Sequence, residues 1–167
     1  MEGCFLAEFN LGVLRHDWDD PRIADFADGI EPVMALAERA AGFVWRMPDD
    51  EMENEQCDPN GPLGGNPRIA STLSVWRDVA SLEDFVWNTV HWQFYDRRAE
   101  WHDLTKPGVR LVMWWVPKDH IPTVQESVER LGLLEHHGNT DQAFGWSHLK
   151  GAKLWKTHGC AQVAERT

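Results

Sequence analysis

The chain has 167 residues, 43% of them hydrophobic, a formal net charge of −11 and a sequence pI near 5.1. This length predicts one domain with its own core, and the acidic charge argues against a nucleic-acid partner because it repels phosphate groups. No apolar run approaches the roughly 20 residues that span a bilayer, so we expect a cytoplasmic protein with no membrane partner.

The cysteines and histidines are placed unfavourably for a disulfide framework or a metal site. Cys4, Cys57 and Cys160 are odd in number and widely separated, which predicts a reducing compartment. His91 and His102 lie eleven residues apart, about 16 Å along a helix at 1.5 Å per residue, so they cannot share one ion. We therefore expect no metal.

The first part of the chain predicts a strand followed by a helix. Residues 5–14 alternate loosely between apolar and polar side chains, as a half-buried strand does. An Asp-Pro pair opens a helix over 20–41, with the aspartate as N-cap and proline at the first helical position. Gly29 and Pro32 are expected to break or kink this helix near its middle.

The central part predicts two strands separated by a loop, and then a long helix. The strands cover 43–47 and 69–76, and residues 48–67 between them are rich in Asp, Glu, Asn, Gly and Pro. That composition is typical of a long surface loop. The stretch 76–101 reads as one helix, opened by Ser81 in a capping box.

The last part predicts a strand, a third helix and a short final strand. A Lys-Pro-Gly connection at 106–108 leads to a continuous apolar strand over 109–116. A Thr-x-x-Glu capping box opens the helix over 123–137, which ends at a glycine. Residues 143–146 form the last short strand, and residues 151–167 are interpreted as a tail.

This order of elements, β-α-β-β-α-β with an extra helix and strand, predicts an α+β, ferredoxin-like domain over residues 1–150. Such a sheet carries its helices on one face, so its other face must be covered by something. The strand at 111–116 is apolar on both faces, and no element of the chain is left over to cover the second one. A second copy of the sheet would cover it, which predicts a homodimer.

The long predicted helix carries an unusual stripe of side chains. At 3.6 residues per turn, Trp87, His91, Phe94 and Arg98 share one side. Large aromatic faces beside a few polar groups are typical of a small-molecule cavity, and an ordinary core would avoid the polar groups because burying them costs free energy. The competing interpretation is a partly exposed helix flank in which His91 bonds to backbone.

Several short motifs occur in an order that resembles a known family. They are Ser74-Val75-Trp76, Ser81-Leu82-Glu83-x-Phe85, His91, Arg97-Arg98-x-x-Trp101, Trp114-Trp115-Val116-Pro117, Pro122-Thr123-x-x-Glu126, Arg130-Leu131, Gly138 and Ala143-Phe144. Over residues 5–147 the chain resembles an uncharacterised bacterial family placed in the dimeric α/β-barrel superfamily of antibiotic-biosynthesis-type monooxygenases.

The resemblance implies a dimeric α/β barrel and several candidate activities. The superfamily includes cofactor-independent quinone-forming monooxygenases, haem-degrading monooxygenases, haem enzymes, and isomerases or cyclases. Haem-degrading members use a first-strand Asn and a second-helix Trp, which Asn10 and Trp87 match. Where those members place a His ligand this chain carries Arg97, and its His91 lies one turn after the tryptophan.

We therefore expect an enzyme that needs no cofactor and acts on a hydrophobic, aromatic or polycyclic metabolite by proton transfer, as a monooxygenase or as an isomerase or cyclase. In this hypothesis His91 is the general acid or base, Arg98 or Arg97 holds an oxyanion or phenolate, and Asn10 orients a carbonyl or peroxide oxygen. The side chains predicted to line the cavity are Trp76, Trp87, Phe94, Arg97, Trp101 and Trp114.

Two alternatives remain open from the sequence. In the first, the protein binds haem with His91 as axial ligand, and purified protein would show a Soret band that His91→Ala abolishes. In the second, the protein is a dimeric module that binds a small molecule in the same cavity without turnover, and changes at His91 have no effect on activity. A fold alone does not decide among these functions.

Overall fold

A computed structural model describes residues 3–105 and 110–152. The connection at 106–108, the first residue of the strand predicted over 109–116, Cys160 and nearly all of the predicted tail therefore lie outside the described residues. The elements, in chain order, are strand β1 (Cys4–Val13), a 3₁₀ turn (Pro21–Ile23), helix α1 (Ala24–Arg39), strand β2 (Phe43–Arg46), helix α2 (Asp49–Cys57), strand β3 (Ile69–Trp76), helices α3 (Val79–Asn88), α4 (His91–Asp96) and α5 (Arg98–Trp101), strand β4 (Arg110–Pro117), helix α6 (Val124–His137) and a second 3₁₀ turn (Trp146–His148).

The strands form one four-stranded sheet in the order β2-β3-β1-β4, with every neighbouring pair antiparallel. This mixed α+β architecture fits the ferredoxin-like pattern that the order of elements predicts. In the central strand β1, Glu8 lies opposite Ser74 of β3 on one side and opposite Met113 of β4 on the other. This register decides which side chains meet at the centre of the sheet.

Successive residues of a strand point to opposite faces, so the sheet separates two hydrophobic clusters. The face that carries Leu6, Trp76 and Met113 packs under α1 and α3, and we call it the α1/α3 face. The opposite face carries Phe9 and Trp114 among others, and we call it the α2/α6 face. Its further members include Val112 and Val116 of the sheet, Met52 of α2, and Val124 and Leu131 of α6.

The expectation that no element of the chain covers the second face is wrong. Met52 of α2 is 6% exposed and Val124 of α6 is 0% exposed, and both pack in the cluster on that face. Residues 48–67, predicted to be only a loop, supply α2, whose first turn is acidic. Acidic side chains there are favoured because the helix dipole is positive at its N-terminus. The face through which a homodimer was predicted is therefore covered by α2 and α6, and the homodimer stays a prediction.

The single long helix predicted over 76–101 is also wrong, because the chain forms three short helices there. Thr89 takes an extended conformation (φ −117°, ψ −175°) that ends α3. Its hydroxyl donates to the Phe85 carbonyl at 2.6 Å and accepts from the His91 N–H at 3.2 Å. Threonine hydroxyls compete in this way with helical backbone bonds, so the four-residue stripe is not one continuous helix face.

Smaller differences concern caps and ends. Asp78, and not Ser81, is the N-cap of α3, since its carboxylate accepts from the Ser81 N–H at 2.9 Å. Helix α1 continues through Gly29 and Pro32 instead of breaking there. The last predicted strand is reduced to one bridge between Met113 and Phe144.

The predicted caps of the third helix are confirmed. Thr123 caps α6 by accepting from the Glu126 N–H at 3.1 Å, and Gly138 follows the helix with a positive φ of 70°.

Among the described residues, no helix has both the length and the apolar character that a membrane span requires.

Candidate functional site

A buried carboxyl group lies at the centre of the α1/α3 face. The alternation of β1 places Glu8 and Asn10 on this face, between the apolar Leu6 and Gly12. Glu8 is only 5% exposed. An ionised carboxylate is rarely buried without compensating hydrogen bonds, so its partners define the site.

Four polar side chains surround that carboxyl group. Asn10 Nδ2 donates to Glu8 Oε1 at 2.7 Å, and Ser74 Oγ donates to Glu8 Oε2 at 3.1 Å. Asn10 Nδ2 also donates to Thr72 Oγ1 at 2.7 Å, and Trp76 Nε1 donates to Ser74 Oγ at 3.0 Å. We call these five residues the Glu8 network; only Asn10 and Ser74 donate to the carboxylate itself.

Burial raises the pKa of Glu8 to about 7, although the hydrogen bonds from Asn10 and Ser74 act in the opposite direction. The carboxylic acid and the carboxylate are therefore both populated at neutral pH. A general acid or base works best when its pKa lies near the working pH. Glu8 is thus suited to accept and return a proton.

The network is not sealed from solvent. Asn10, Thr72 and Ser74 are partly exposed, while Glu8 lies buried between them. Leu111, directly across from Asn10 on β4, is also partly exposed. The arrangement is a buried carboxyl group bordered by partly exposed polar side chains.

Aromatic rings border the network at one end. The indole of Trp76 stacks on Phe85 with 5.1 Å between ring centroids, and Phe85 lies 5.1 Å from the His91 ring. Trp87 packs in the same cluster, 6.0 Å from Trp146. The structure therefore brings Asn10 and Trp76 together with the carboxyl group, with Trp87 and His91 in the adjacent cluster.

His91 is held in its neutral form. Its Nδ1 atom is buried and accepts or donates no hydrogen bond among the described residues. Burial lowers the pKa of His91 to about 4, with the Val86 carbonyl opposing this shift. At neutral pH the ring is therefore uncharged and a weak base. The predicted acid or base role of His91 stays a prediction, and Glu8 has the better matched pKa.

The two arginines of the stripe are engaged elsewhere. The Arg98 guanidinium lies 4.0 Å from the Tyr95 ring centroid and donates to the Tyr95 carbonyl at 2.8 Å. Arg97 forms ion pairs on the surface with Asp25 at 3.0 Å and with Glu100 at 2.8 Å. Neither arginine has a described contact with the Glu8 network.

The remaining predicted cavity residues do not gather at one place. Trp101 is 1% exposed and belongs to a small cluster with Leu14 and Ile23, against which Phe94 packs. Trp114 lies on the α2/α6 face, where its Nε1 donates to Glu126 at 3.0 Å. The sheet therefore separates Trp114 from every other residue of the predicted cavity.

The acidic, histidine and cysteine side chains of the described residues do not gather into a metal site. No group of three or more His, Cys, Asp or Glu side chains is arranged to hold a metal ion within residues 3–105 and 110–152. Two clefts, of about 640 and 300 Å³, are lined by residues of the β1 end and of α2, and neither includes His91. Phe85 packs 5.1 Å from the His91 ring, and haem binding through His91 stays a prediction.

Glu8 is the site residue that reasoning from the sequence missed. In β1 the apolar phase is Ala7, Phe9 and Leu11, which makes Glu8 and Asn10 look like a solvent-facing pair. The signal that could have found Glu8 is the matching phase of β3, where Thr72 and Ser74 alternate with apolar side chains. Two neighbouring central strands with polar residues in register predict a polar cluster inside the fold.

Comparisons with known proteins agree with an uncharacterised family. A family profile described as a domain of unknown function, DUF3291, matches residues 5–160. Among curated proteins nothing matches. A similar solved structure is a protein of unknown function, NE2512, from Nitrosomonas europaea, with 12% identity and a TM-score of 0.46 over 74% of this chain and 99% of that one. A TM-score at that level carries no argument about function.

Proposed function

The chain belongs to the DUF3291 family, and we propose that it is a small-molecule enzyme in which Glu8 transfers a proton to and from a hydrophobic, aromatic substrate. The observation that carries this proposal is the buried carboxyl group of Glu8, held by Asn10 and Ser74 beneath a partly open rim. Carboxyl groups with a pKa perturbed by burial are concentrated at functional sites.

A purely structural role explains the carboxyl group less well. A pKa raised from 4.5 to about 7 means that ionised Glu8 opposes folding, by about 3 kcal/mol at roughly 1.4 kcal/mol per pKa unit. A glutamine at this position would keep the shape without that cost. Retaining an ionisable group here is useful when the group exchanges a proton.

The chemistry that we assign to the site begins with removal of an acidic proton. The Glu8 carboxylate accepts a proton from a C–H or O–H group of the substrate, and Asn10 and Ser74 hold the carboxylate in place. Returning the proton to another atom gives an isomerase or cyclase. If dioxygen reacts with the substrate anion instead, the same first step gives a monooxygenase.

We retain the resemblance to antibiotic-biosynthesis-type monooxygenases as part of this proposal. The antiparallel order β2-β3-β1-β4 supports it. The proposed site is built from residues of one chain, and α2 and α6 occupy the face through which a dimer was predicted. The proposed reaction therefore does not depend on a homodimer.

The proposal is tested by proton exchange with a panel of aromatic ketones, phenols and quinols. Each compound is incubated in heavy water with the wild-type protein, with Glu8→Gln and with Glu126→Gln, while proton NMR follows deuterium incorporation and an electrode follows dioxygen uptake. Glu126 is a matched control because it is also a glutamate that accepts a side-chain hydrogen bond, from Trp114 Nε1, but on the opposite face of the sheet.

We expect at least one compound to lose its exchangeable proton faster with wild type than with buffer. Glu8→Gln should abolish this acceleration and Glu126→Gln should keep it, with circular dichroism showing both variants folded. Acceleration that survives in Glu8→Gln would overturn the role of Glu8. Tight binding of panel compounds with no exchange and no dioxygen uptake would make the protein a binding module instead.

A further inference from the structure

Hydrogen-bonding capacity is left over at the rim of the Glu8 network. A side-chain amide offers two N–H donors and a carbonyl acceptor, and a hydroxyl offers one donor and accepts as well. Asn10 and Thr72 are direct cross-strand partners, so their side chains lie side by side on the α1/α3 face. The donors and acceptors of Asn10 and Thr72 that make no hydrogen bond within the described residues define which ligand groups could bind there.

The orientation of the Asn10 amide follows from its neighbour when Glu8 is in the ionised form that acts as the base. That carboxylate only accepts hydrogen bonds, so the group 2.7 Å from Glu8 Oε1 is then the Asn10 nitrogen. The second bond of that nitrogen goes to Thr72 Oγ1. The amide oxygen of Asn10 therefore remains as a free acceptor, since no side chain or backbone N–H within the described ranges donates to it.

Thr72 has an unused hydrogen-bond donor, which complements the unused acceptor of Asn10. Its oxygen accepts from Asn10, so its own hydroxyl proton points elsewhere. Within the part of the chain that the structure describes, no group accepts that proton. Because Thr72 and Asn10 are both partly exposed, one donor and one acceptor face the rim side by side, next to the Glu8 carboxyl group.

From this pairing, and resting on the function proposed above, we propose that the substrate is an aromatic hydroxy ketone with its two oxygens on neighbouring carbon atoms. The ketone oxygen accepts from the Thr72 hydroxyl, and the substrate hydroxyl donates to the Asn10 amide oxygen. The C–H bond of the hydroxyl-bearing carbon then faces Glu8.

The reaction is an isomerisation that needs no oxidant or reductant. The Glu8 carboxylate takes the proton from the hydroxyl-bearing carbon, and the C–H electron pair forms a double bond to the ketone carbon. The ketone oxygen gains the negative charge and is stabilised by Thr72. The hydroxyl proton passes to that oxygen, and Glu8 returns its proton to the former ketone carbon. The carbonyl and the hydroxyl have then exchanged places.

The test compares phenacyl alcohol with its methyl ether, which keeps both oxygens but cannot donate to Asn10. Exchange of the methylene protons with heavy water is followed by proton NMR for wild type, Asn10→Ala, Thr72→Val and Glu8→Gln. The ratio of the two rates for each protein cancels any change in the basicity of Glu8, because that change affects both probes alike.

We expect wild type to prefer phenacyl alcohol by about tenfold, the value of one hydrogen bond, and Asn10→Ala to lose this preference. Thr72→Val should slow exchange of both probes. Equal rates for the two probes in wild type, or an unchanged preference in Asn10→Ala, would overturn the substrate class and leave the role of Glu8 intact. Failure of Glu8→Gln to slow exchange would instead overturn the proposed function.

Discussion

Asn10 donates one hydrogen bond to Glu8 at 2.7 Å and another to Thr72 at 2.7 Å, and so it connects the buried carboxyl group to the partly exposed rim of the site. The sequence resemblance points to Asn10 through its place on the first strand. The structure adds the reason for that place, because Asn10 both stabilises the Glu8 carboxylate and keeps its amide oxygen available.

Glu8→Gln should change how stability depends on pH. Because burial raises the pKa of Glu8 from 4.5 to about 7, the unfolded chain ionises first as the pH rises. Wild type should therefore lose about 3 kcal/mol of unfolding free energy relative to Glu8→Gln between pH 4.5 and 7. Urea unfolding of both proteins at several pH values measures this, and parallel profiles would show that Glu8 is not desolvated.

His91→Phe should reduce the loss of stability at falling pH, whereas Glu8→Gln reduces the loss at rising pH. The pKa of His91 is lowered from 6.5 to about 4 by burial, so its stabilising effect is complete above pH 6.5 and is lost as the pH falls to 4. The variant should lose less stability than wild type over that window, by up to about 3 kcal/mol at roughly 1.4 kcal/mol per pKa unit.

The control for His91 is His137→Phe, at the exposed end of α6. His102, whose pKa is also lowered by burial, is present in all three proteins, so the difference between wild type and variant isolates His91. If His91→Phe and wild type lose stability equally on acidification, the His91 ring is solvated in the folded protein.

Trp114→Phe should reduce stability and leave the proposed chemistry unchanged. Trp114 is 1% exposed on the α2/α6 face and donates to Glu126, so its loss removes packing and one hydrogen bond, at about 1–3 kcal/mol. The methylene exchange of phenacyl alcohol should keep its wild-type rate. A folded Trp114→Phe variant without exchange activity would return Trp114 to the site.

Two glycines offer a matched test of helix packing. Gly29 of α1 lies directly under the Phe94 ring, which a Cβ would strike, whereas a Cβ at Gly132 of α6 meets nothing within 4 Å. Gly132→Ala should stabilise the protein by about 0.5–1 kcal/mol. Gly29→Ala should destabilise it by about 1–3 kcal/mol. Urea denaturation of both variants decides, and equal effects would show that Phe94 does not pack against α1.

The sequence predicts the order of strands and helices well because hydrophobic alternation and caps are local signals. Thr123 is confirmed as the N-cap of α6, and Asp20 caps the 3₁₀ turn that begins at Pro21 and leads into α1. The break at Thr89 was missed because a hydroxyl that bonds to backbone competes with a helix only in a given geometry. The sequence can be read with the helical period of 3.6 residues through Asn88 and Val90, so the pattern alone does not show that a helix ends at Thr89.

The candidate site was only partly predictable, for a related reason. Trp87 and His91 do pack near the network. Phe94 and Arg98 were predicted to join them only because a single straight helix would align all four side chains. Glu8 looked solvent-facing because the pattern of one strand does not reveal that helices cover both faces of the sheet.

The titration of Glu8 tests the central claim most directly. Isotope-edited NMR of labelled glutamate side chains follows each carboxyl group against pH, and the signal missing in Glu8→Gln identifies Glu8. The account predicts a midpoint at about pH 7 for this group. A midpoint near its ordinary value of 4.5 would show a solvated carboxylate, and the proposed proton transfer at neutral pH would be contradicted.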